Sequence, residues 1–313
     1  MARLTRRRFV SITAAATALA GRPSRAAELR PELRQWRGIA MGADATITLA
    51  HPDPAPIIEA ARAEISRLEA IFSLYRNDSA LSRLNAEGRL DNPPFELLDC
   101  LSWCSTIHTA TRGLFDATIQ PLWATYAEHH SRGRAPNAAA IAQALTRTGW
   151  RNVRYDPTAV TFTEPGMALT LNGIAQGYVA DRVASLLQAR GLTDILVATG
   201  EHRALGGHPA GGDWQVGLAQ GDRLLDVTAP LRDAALATSS PLGTTFDAAG
   251  RAGHILDPRT GQPAPPTWQL VSITAPAATL ADALSTAICL MTRPEIDTTL
   301  HQFPQAALVH LSA

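Results

Sequence analysis

Apolar positions recur along this chain at two spacings, and the switches between them mark its elements. Over residues 36–49 the spacing is two, clearest in Thr46-Ile47-Thr48-Leu49, which predicts extended structure. Over residues 56–72 it becomes three and four. Ile58, Ala61, Ile65, Leu68 and Phe72 then form the buried stripe of a helix opened by Pro56. The polar residues 78–85 predict a loop or short helix. Asn92-Pro93-Pro94 starts a helix carrying Leu97, Leu98, Leu101, Cys104 and Ile107, and Gly113 ends it. Residues 133–137 are rich in Pro, Gly and Asn and precede a short helix to about Arg147. Residues 153–155 and 160–162 predict a hairpin, and residues 168–171 a third short strand. A helix follows over residues 175–190 and stops at Gly191.

The last third reads similarly. Residues 195–197 form a buried strand, and residues 214–218 with 224–228 another hairpin. Residues 270–274 are a strand, 280–291 a helix, 294–303 a further helix, and 306–311 a closing strand. Strands come in runs with helices between them, not in strict alternation. That favours an α+β fold over a doubly wound parallel sheet. No internal repeat recurs at a fixed period, and no linker divides the chain, so residues 28–313 are expected to form a single domain.

The first residues read differently. Thr5-Arg6-Arg7-Arg8-Phe9-Val10 precedes an apolar, Ala-rich run over residues 12–20, and Ser24-Arg25-Ala26-Ala27 supplies small-residue cleavage sites. This is the layout of an export signal, here residues 1–27, of the twin-arginine type. It predicts a periplasmic protein. All 28 basic residues are Arg. A chain without Lys has no Schiff-base, pyridoxal-phosphate, P-loop or kinase-type lysine chemistry. Removing residues 1–26 leaves 22 Arg against 28 acidic residues, a net charge of −6. A mildly acidic chain without a basic stripe is not expected to bind nucleic acid. No run of about 18 apolar residues predicts a membrane span of its own. Cys100, Cys104 and Cys289 fall in apolar helical patterns and are expected as buried thiols.

Several short motifs could carry chemistry. Asp282 and Thr286 lie four apart in a helical segment and share a face. A carboxylate and a hydroxyl form a hard oxygen pair suited to Mg²⁺, although by itself this spacing is more ordinarily an Asp near a helix dipole and a Thr bonding back to its own backbone. Asn172-Gly173-Ile174-Ala175-Gln176-Gly177-Tyr178 joins a strand to a helix. Its glycines allow close backbone approach to a ligand, and the helix start could meet an anion. Asp181 follows on the first turns. His254 and Asp257 flank a short strand before Pro258-Arg259-Thr260-Gly261, so His254 is an acid–base candidate or a structural His. Thr238-Ser239-Ser240 is a hydroxyl run. No G-x-S-x-G elbow and no H-E-x-x-H appears, so serine-hydrolase and zinc-protease readings lack support.

In order and spacing these pieces resemble the ApbE family of flavin transferases. The resemblance runs through Met41-Gly42-Ala43, Phe72-Ser73-Leu74-Tyr75 with Ser79, Leu81 and Asn85, and Gly113-Leu114-Phe115-Asp116-Ala117-Thr118. It continues through residues 171–181, Ala237-Thr238-Ser239, residues 254–261 and residues 281–286. It covers residues 36–312. It implies an α+β body of two parts with the flavin site in the cleft between them. It also implies Mg²⁺-dependent transfer of FMN from FAD to a Thr hydroxyl of a target protein, with release of AMP. By resemblance, Asp282, Thr286 and the carbonyl of Ala175 would hold Mg²⁺. His254 and Asp181 would be the alternative acid–base candidates, and Met41, Tyr75, Asp116, Gly173, Thr238 and Glu201 would contact FAD. The implied partner is an exported or membrane redox protein bearing a flavinylation Thr.

The chain departs from the family pattern at two charged positions. Where the family reads Asp-Leu-Gly-Gly-Ile-Ala-Lys-Gly, this chain has Thr170-Leu171-Asn172-Gly173-Ile174-Ala175-Gln176-Gly177. Thr199-Gly200-Glu201 stands for Gly-Gly-Glu, and Arg203 is a candidate replacement for the lost cation. These changes resemble a branch that includes nitrous-oxide-reductase accessory proteins. They also keep two alternatives in view: a non-catalytic FAD-binding carrier, and a FAD pyrophosphatase in which water replaces the Thr.

Overall fold

A computed structural model describes residues 32–313. The expected export signal lies outside the described residues. The alternation over residues 36–49 folds as a hairpin, in which β1 (Leu33–Ala40) pairs antiparallel with β2 (Ala43–Ala50). Its two-residue turn is Met41-Gly42, with φ of 50° and 81°. Positive φ at both positions is the primed turn whose twist matches the strands it joins.

Next come α1 (Ala55–Phe72), α2 (Ala80–Glu87), β3 (Arg89–Asp91) and α3 (Phe95–Ala110). The stripe of α1 buries Ile57, Ala61, Ile65, Leu68, Ile71 and Phe72, with Ile58 at its margin. α4 (Gln120–Ser131), α5 (Ala138–Leu145), β4 (Val153–Tyr155) and β5 (Ala159–Phe162) follow. The small sheet β3-β5-β4 adds an edge strand to the expected hairpin. Residues 168–171 are not a strand. Their backbone pairs with a side chain instead: Asn85 donates to the Leu169 carbonyl at 2.8 Å and accepts from the Leu169 N–H at 2.7 Å.

The remaining elements are α6 (Ala175–Ala189), β6 (Ile195–Thr199), β7 (His202–Leu205), β8 (Trp214–Gln220), β9 (Arg223–Leu231), β10 (Ala235–Ser239), β11 (Leu270–Ala275), α7 (Ala278–Ile288), α8 (Arg293–Leu300) and β12 (Ala307–Ser312). Seven strands form one antiparallel sheet in the order β1-β2-β6-β7-β10-β11-β12. Side chains alternate across it. Val197, Leu205, Ala235, Ala237, Val271 and Ile273 join α1, α3, α6 and α7 in the main core. Leu196, Ala204 and Leu236 point the other way and are covered by the β8–β9 hairpin through Trp214, Val216 and Leu231. All three Cys are buried free thiols. No helix among the described residues is long and apolar enough to cross a membrane.

Four elements, β3, α4, β7 and β10, were not expected from the pattern. α4 buries only Pro121, Leu122 and Tyr126 and ends in His129-His130, so its stripe is too narrow to read. β7 is four residues long and follows the tight turn at Gly200, whose φ is +95°.

Candidate active site

The site is built where α6 and α7 begin. These helices pack so closely that a Cβ on Gly177 would be driven into the Ala278 carbonyl and lie 2.8 Å from the Thr279 nitrogen. Neither helix has a side-chain cap of its own. Each is capped by the other. The Asp282 carboxylate of α7 accepts the Gly177 N–H of α6 at 3.0 Å. The Asp181 carboxylate of α6 accepts the N–H groups of Ala278 and Thr279 at 2.9 and 2.8 Å, and the Thr279 hydroxyl at 2.6 Å. Carboxylates at two adjoining helix starts satisfy orphan donors and meet the positive ends of both dipoles.

Asp282 is the deeper of the two, 3% exposed. Burial pushes its carboxyl up to about 7 and the negative Asp181 adds to this, while the Gly177 N–H opposes it. Glu201, also buried, lies beside Asp282; burial and that neighbour both push its carboxyl well above the usual range. Glu201 has a structural task as well. It accepts the Thr238 N–H at 3.0 Å, just past the last β7–β10 pair, Leu236 with His202.

Hydroxyls complete this wall. Ser239 sits 2.7 Å from the Ser285 Oγ and 3.4 Å from the Thr286 Oγ1. A Cβ on Gly173 would lie 3.1 Å from the Thr286 Oγ1, so a side chain here would crowd Thr286. Thr199 donates to the Gln176 carbonyl at 2.9 Å. The Gln176 side-chain amide lies on Gly200, where any Cβ would meet its Cδ at 2.6 Å. Gly173, Ala175, Glu201, Asp282 and Thr286 are thus brought together, with the Thr238 backbone beside them. The Thr238 hydroxyl turns away to Ser272, at 3.0 Å on the opposite face of the sheet.

Met41 and Tyr75 form a second group. The Tyr75 ring lies 4.0 Å from where a Cβ of Gly42 would be, and is 69% exposed. The Met41 N–H is held by Glu69 at 2.8 Å. Asp116 lies elsewhere, as the buried cap of the single turn Ala117–Ile119. It accepts the N–H and hydroxyl of Thr118 at 2.8 and 2.6 Å and the Trp150 N–H at 3.3 Å. It reaches the candidate residues through its neighbour, since the Ala117 carbonyl accepts the Thr170 N–H at 2.8 Å.

His254 stands in the connection between β10 and β11. The Thr244 carbonyl lies 3.0 Å from both its backbone nitrogen and its Nδ1. A carbonyl only accepts, so Nδ1 carries the proton and Nε2 keeps its lone pair. Burial lowers the basicity of the ring, and bonds to the Thr244 and Pro241 carbonyls oppose that. The imidazole is therefore neutral at pH 7. Arg203 sits on β7 with its Nε 3.4 Å from Asp181. A cavity of about 280 Å³ lies beside that pair, lined by Asp99, Trp103, Tyr178 and Arg182. The residues converging on Asp282 do not line it.

Ser239 and Ser285 were not singled out as site residues from the sequence. The hydroxyl run after β10 and the Ser-Thr pair in α7 were the available signals. Neither shows that the two hydroxyl groups meet.

Residues 41–309 match the sequence profile of the ApbE family. The chain is 30% identical over 281 residues to an FAD:protein FMN transferase of Treponema pallidum, covering 80% of this chain and 76% of that protein. It is 29% identical over 257 residues to one of Klebsiella pneumoniae, covering 74% and 71%. Among solved structures it resembles the flavinyl transferase ApbE of Pseudomonas stutzeri in its apo form, with a TM-score of 0.79 and 25% identity over 90% of this chain and 92% of that one. The ApbE protein of Thermotoga maritima gives a TM-score of 0.79 and 28% identity, covering 90% and 94%.

Proposed function

The chain belongs to the ApbE family, and we propose that it is an FAD:protein FMN transferase that moves FMN from FAD to a Thr hydroxyl of a target protein and releases AMP. The observation that carries this reading is the paired start of α6 and α7, with Asp282 buried between them and the hydroxyls of Thr286 and Ser239 alongside. Because Asp282 and Asp181 already take N–H groups at both helix starts, a pyrophosphate would be held here through Mg²⁺ rather than by the helix termini themselves. Gly173 and Gly177 let the loop and the start of α6 pack directly against Thr286 and the start of α7.

The donor set fits Mg²⁺. Asp282, Thr286 and the Ala175 carbonyl are all hard oxygens. Asp282 spends Oδ2 on Gly177 and keeps its other oxygen. A carboxyl whose ionisation is resisted by burial and by a like charge gains from a cation beside it. Bound Mg²⁺ would supply charge neutralisation for the phosphates and the departing AMP.

The chain's own residues supply position and a base. The acceptor oxygen bonds to the FMN phosphorus as the anhydride bond to the AMP phosphate breaks, and the bridging oxygen leaves with AMP. Such a transfer needs alignment and electrostatics more than covalent help. The hydroxyl proton passes to Nε2 of His254, the free nitrogen of a neutral ring. General-base help of this kind is worth on the order of 10²–10⁴-fold. Asp181 is assigned to positioning, because its carboxylate is occupied by three donors of α7 and by Arg203. Met41 and Tyr75, at the hairpin turn, are assigned to the flavin end of FAD.

Residues 1–27 support export by the twin-arginine route, which would place the reaction in the periplasm and the acceptor on an exported or membrane redox protein. The test uses the mature protein with FAD, Mg²⁺ and an acceptor domain bearing a flavinylation Thr, reading AMP and acceptor mass together. AMP with an equal yield of FMN-modified acceptor is expected. AMP without modification would point to a pyrophosphatase, and tight FAD binding without AMP to a carrier. Either outcome would overturn the transferase reading.

A further inference from the structure

The connection that carries His254 spans 30 residues between β10 and β11 and contains no helix or strand. It is nevertheless pinned, and the pin is α4. Phe246 reaches out of the connection into three rings on one side of that helix. Its centroid is 5.3 Å from Trp123 at 61°, 5.4 Å from Tyr126 at 31° and 6.0 Å from His130 at 17°. His130 in turn stacks on Tyr126 at 6.2 Å and 15°. Edge and tilted arrangements at these distances are the favourable ones for aromatic pairs. The Tyr126 hydroxyl donates to the Gly261 carbonyl at 2.9 Å, farther along the same connection. Leu256 is buried in this cluster, which is separate from the main core.

The grip reaches His254 through two residues. Phe246 closes a small ladder, its N–H on the Ala252 carbonyl at 2.8 Å, with Thr245 bridged to Gly253. The next rung is Thr244 to His254, where one carbonyl receives both the backbone N–H and Nδ1. Where Phe246 stands, the Thr244 carbonyl stands. Where that carbonyl stands decides the tilt of the imidazole and which nitrogen is bare.

We infer that Phe246, held by Trp123, Tyr126 and His130, is a positioning residue of the transfer reaction: through the Thr244 carbonyl it fixes the His254 ring with its proton on Nδ1 and Nε2 open to the acceptor hydroxyl. This rests on the assignment of His254 as base. It also gives α4 a task, since this helix contributes little to the main core.

The experiment compares Phe246→Ala, Phe246→Tyr and His254→Gln in the mature protein, with Trp123→Leu as a second way to loosen the grip should Phe246→Ala fail to fold. Two quantities are read: steady-state FMN transfer, with kcat separated from the KM for FAD, and the ¹⁵N NMR shifts of the His254 imidazole, assigned from their loss in His254→Gln. Misplacement of a reacting group by about 1 Å costs on the order of 10²-fold. Phe246→Ala is expected to lower kcat by about 10–100-fold and move the KM for FAD less than about 3-fold. The ring should change from one tautomer to an average of two, and Phe246→Tyr should restore both rate and tautomer. A folded Phe246→Ala or Trp123→Leu protein with full kcat overturns the inference. So does a loss of rate with the tautomer unchanged. Full activity in His254→Gln would remove the base assignment instead, and the tautomer response would still decide whether Phe246 positions the ring.

Discussion

Asp181 separates a positioning carboxylate from a catalytic one, and its removal has a calculable effect. In Asp181→Ala, the N–H groups of Ala278 and Thr279 and the Thr279 hydroxyl lose their acceptor at once, and Arg203 loses its partner. An ordinary cap is worth about 1 kcal/mol, with a range of roughly 0.5–2. Three charge-assisted bonds would be worth more, but the carboxylate has a desolvation cost that offsets part of them. Burial pushes its carboxyl up even though those bonds and Arg203 pull it down. A net loss of about 2–3 kcal/mol follows, which for a chain this size is roughly 3–5 °C in Tm. α7 should fray at its first turn, and Asp282 lies in its second. The affinity for Mg²⁺ and FAD should fall a few-fold. The rate at saturating FAD and Mg²⁺ should stay within about 3-fold of the parent, because no proton moves through this carboxylate. Thermal melts and saturation kinetics on the same preparation read both effects. A rate loss above about 100-fold with an unchanged Tm would refute the reasoning and return Asp181 to the chemistry.

The Gly177→Ala variant should lose about 1–3 kcal/mol or more, since its Cβ meets the Ala278 backbone rather than a movable side chain; an unchanged melting temperature would mean the helices are not in such contact. In Asp282→Asn, the stabilisation that Mg²⁺ gives the FAD-bound protein should vanish while the metal-free protein melts no lower, because a buried like charge has been removed beside Glu201. A thermal-shift titration with Mg²⁺ checks this, and a parent-like shift would count against the metal assignment. His202 predicts an acid limb of stability. Burial lowers its imidazole from 6.5 to about 4, so the unfolded chain takes the proton first and stability present above pH 6.5 is lost as pH falls toward 4, about 3 kcal/mol in full. Urea unfolding of His202→Gln between pH 7 and 4 should show a flatter slope, and an identical slope would refute it.

Most of the fold was legible because its elements are amphipathic in the ordinary way. The stripe of α1, the β8–β9 hairpin and the glycine stop after α6 all follow from local pattern, as does the extended structure over residues 36–49, though not the turn at Met41-Gly42 that folds it into a hairpin. The exceptions have identifiable tertiary causes. α4 spends its apolar face on a separate aromatic cluster and on one long connection, so no broad stripe appears in its sequence. Residues 168–171 have the composition of a strand, but the backbone partner they needed is the side chain of Asn85, 84 positions away. β7 is short because Glu201 takes up the Thr238 N–H that another ladder pair would have satisfied.

The site divides along a different line. Resemblance to the ApbE family picked out Gly173, Ala175, Asp181, Glu201, His254, Asp282 and Thr286 as candidates, and the local pattern accounts for some of them: a glycine where backbones touch, a carboxylate near a helix start. Their tasks were not legible, because a task depends on what faces the group. Asp181 and Asp282 are the same residue type, each near a helix N-terminus, and each caps the other's helix. The first accepts three hydrogen bonds and an arginine, and little of its capacity remains. The second accepts one, faces hydroxyls, and is held against another carboxylate, so it keeps both an oxygen and a reason to take a cation. The partners that make this difference are 97, 98 and 105 residues distant along the chain, beyond the reach of any spacing rule. The same holds for His254, whose bare nitrogen follows from a carbonyl ten residues away and, behind that carbonyl, from three rings on a helix.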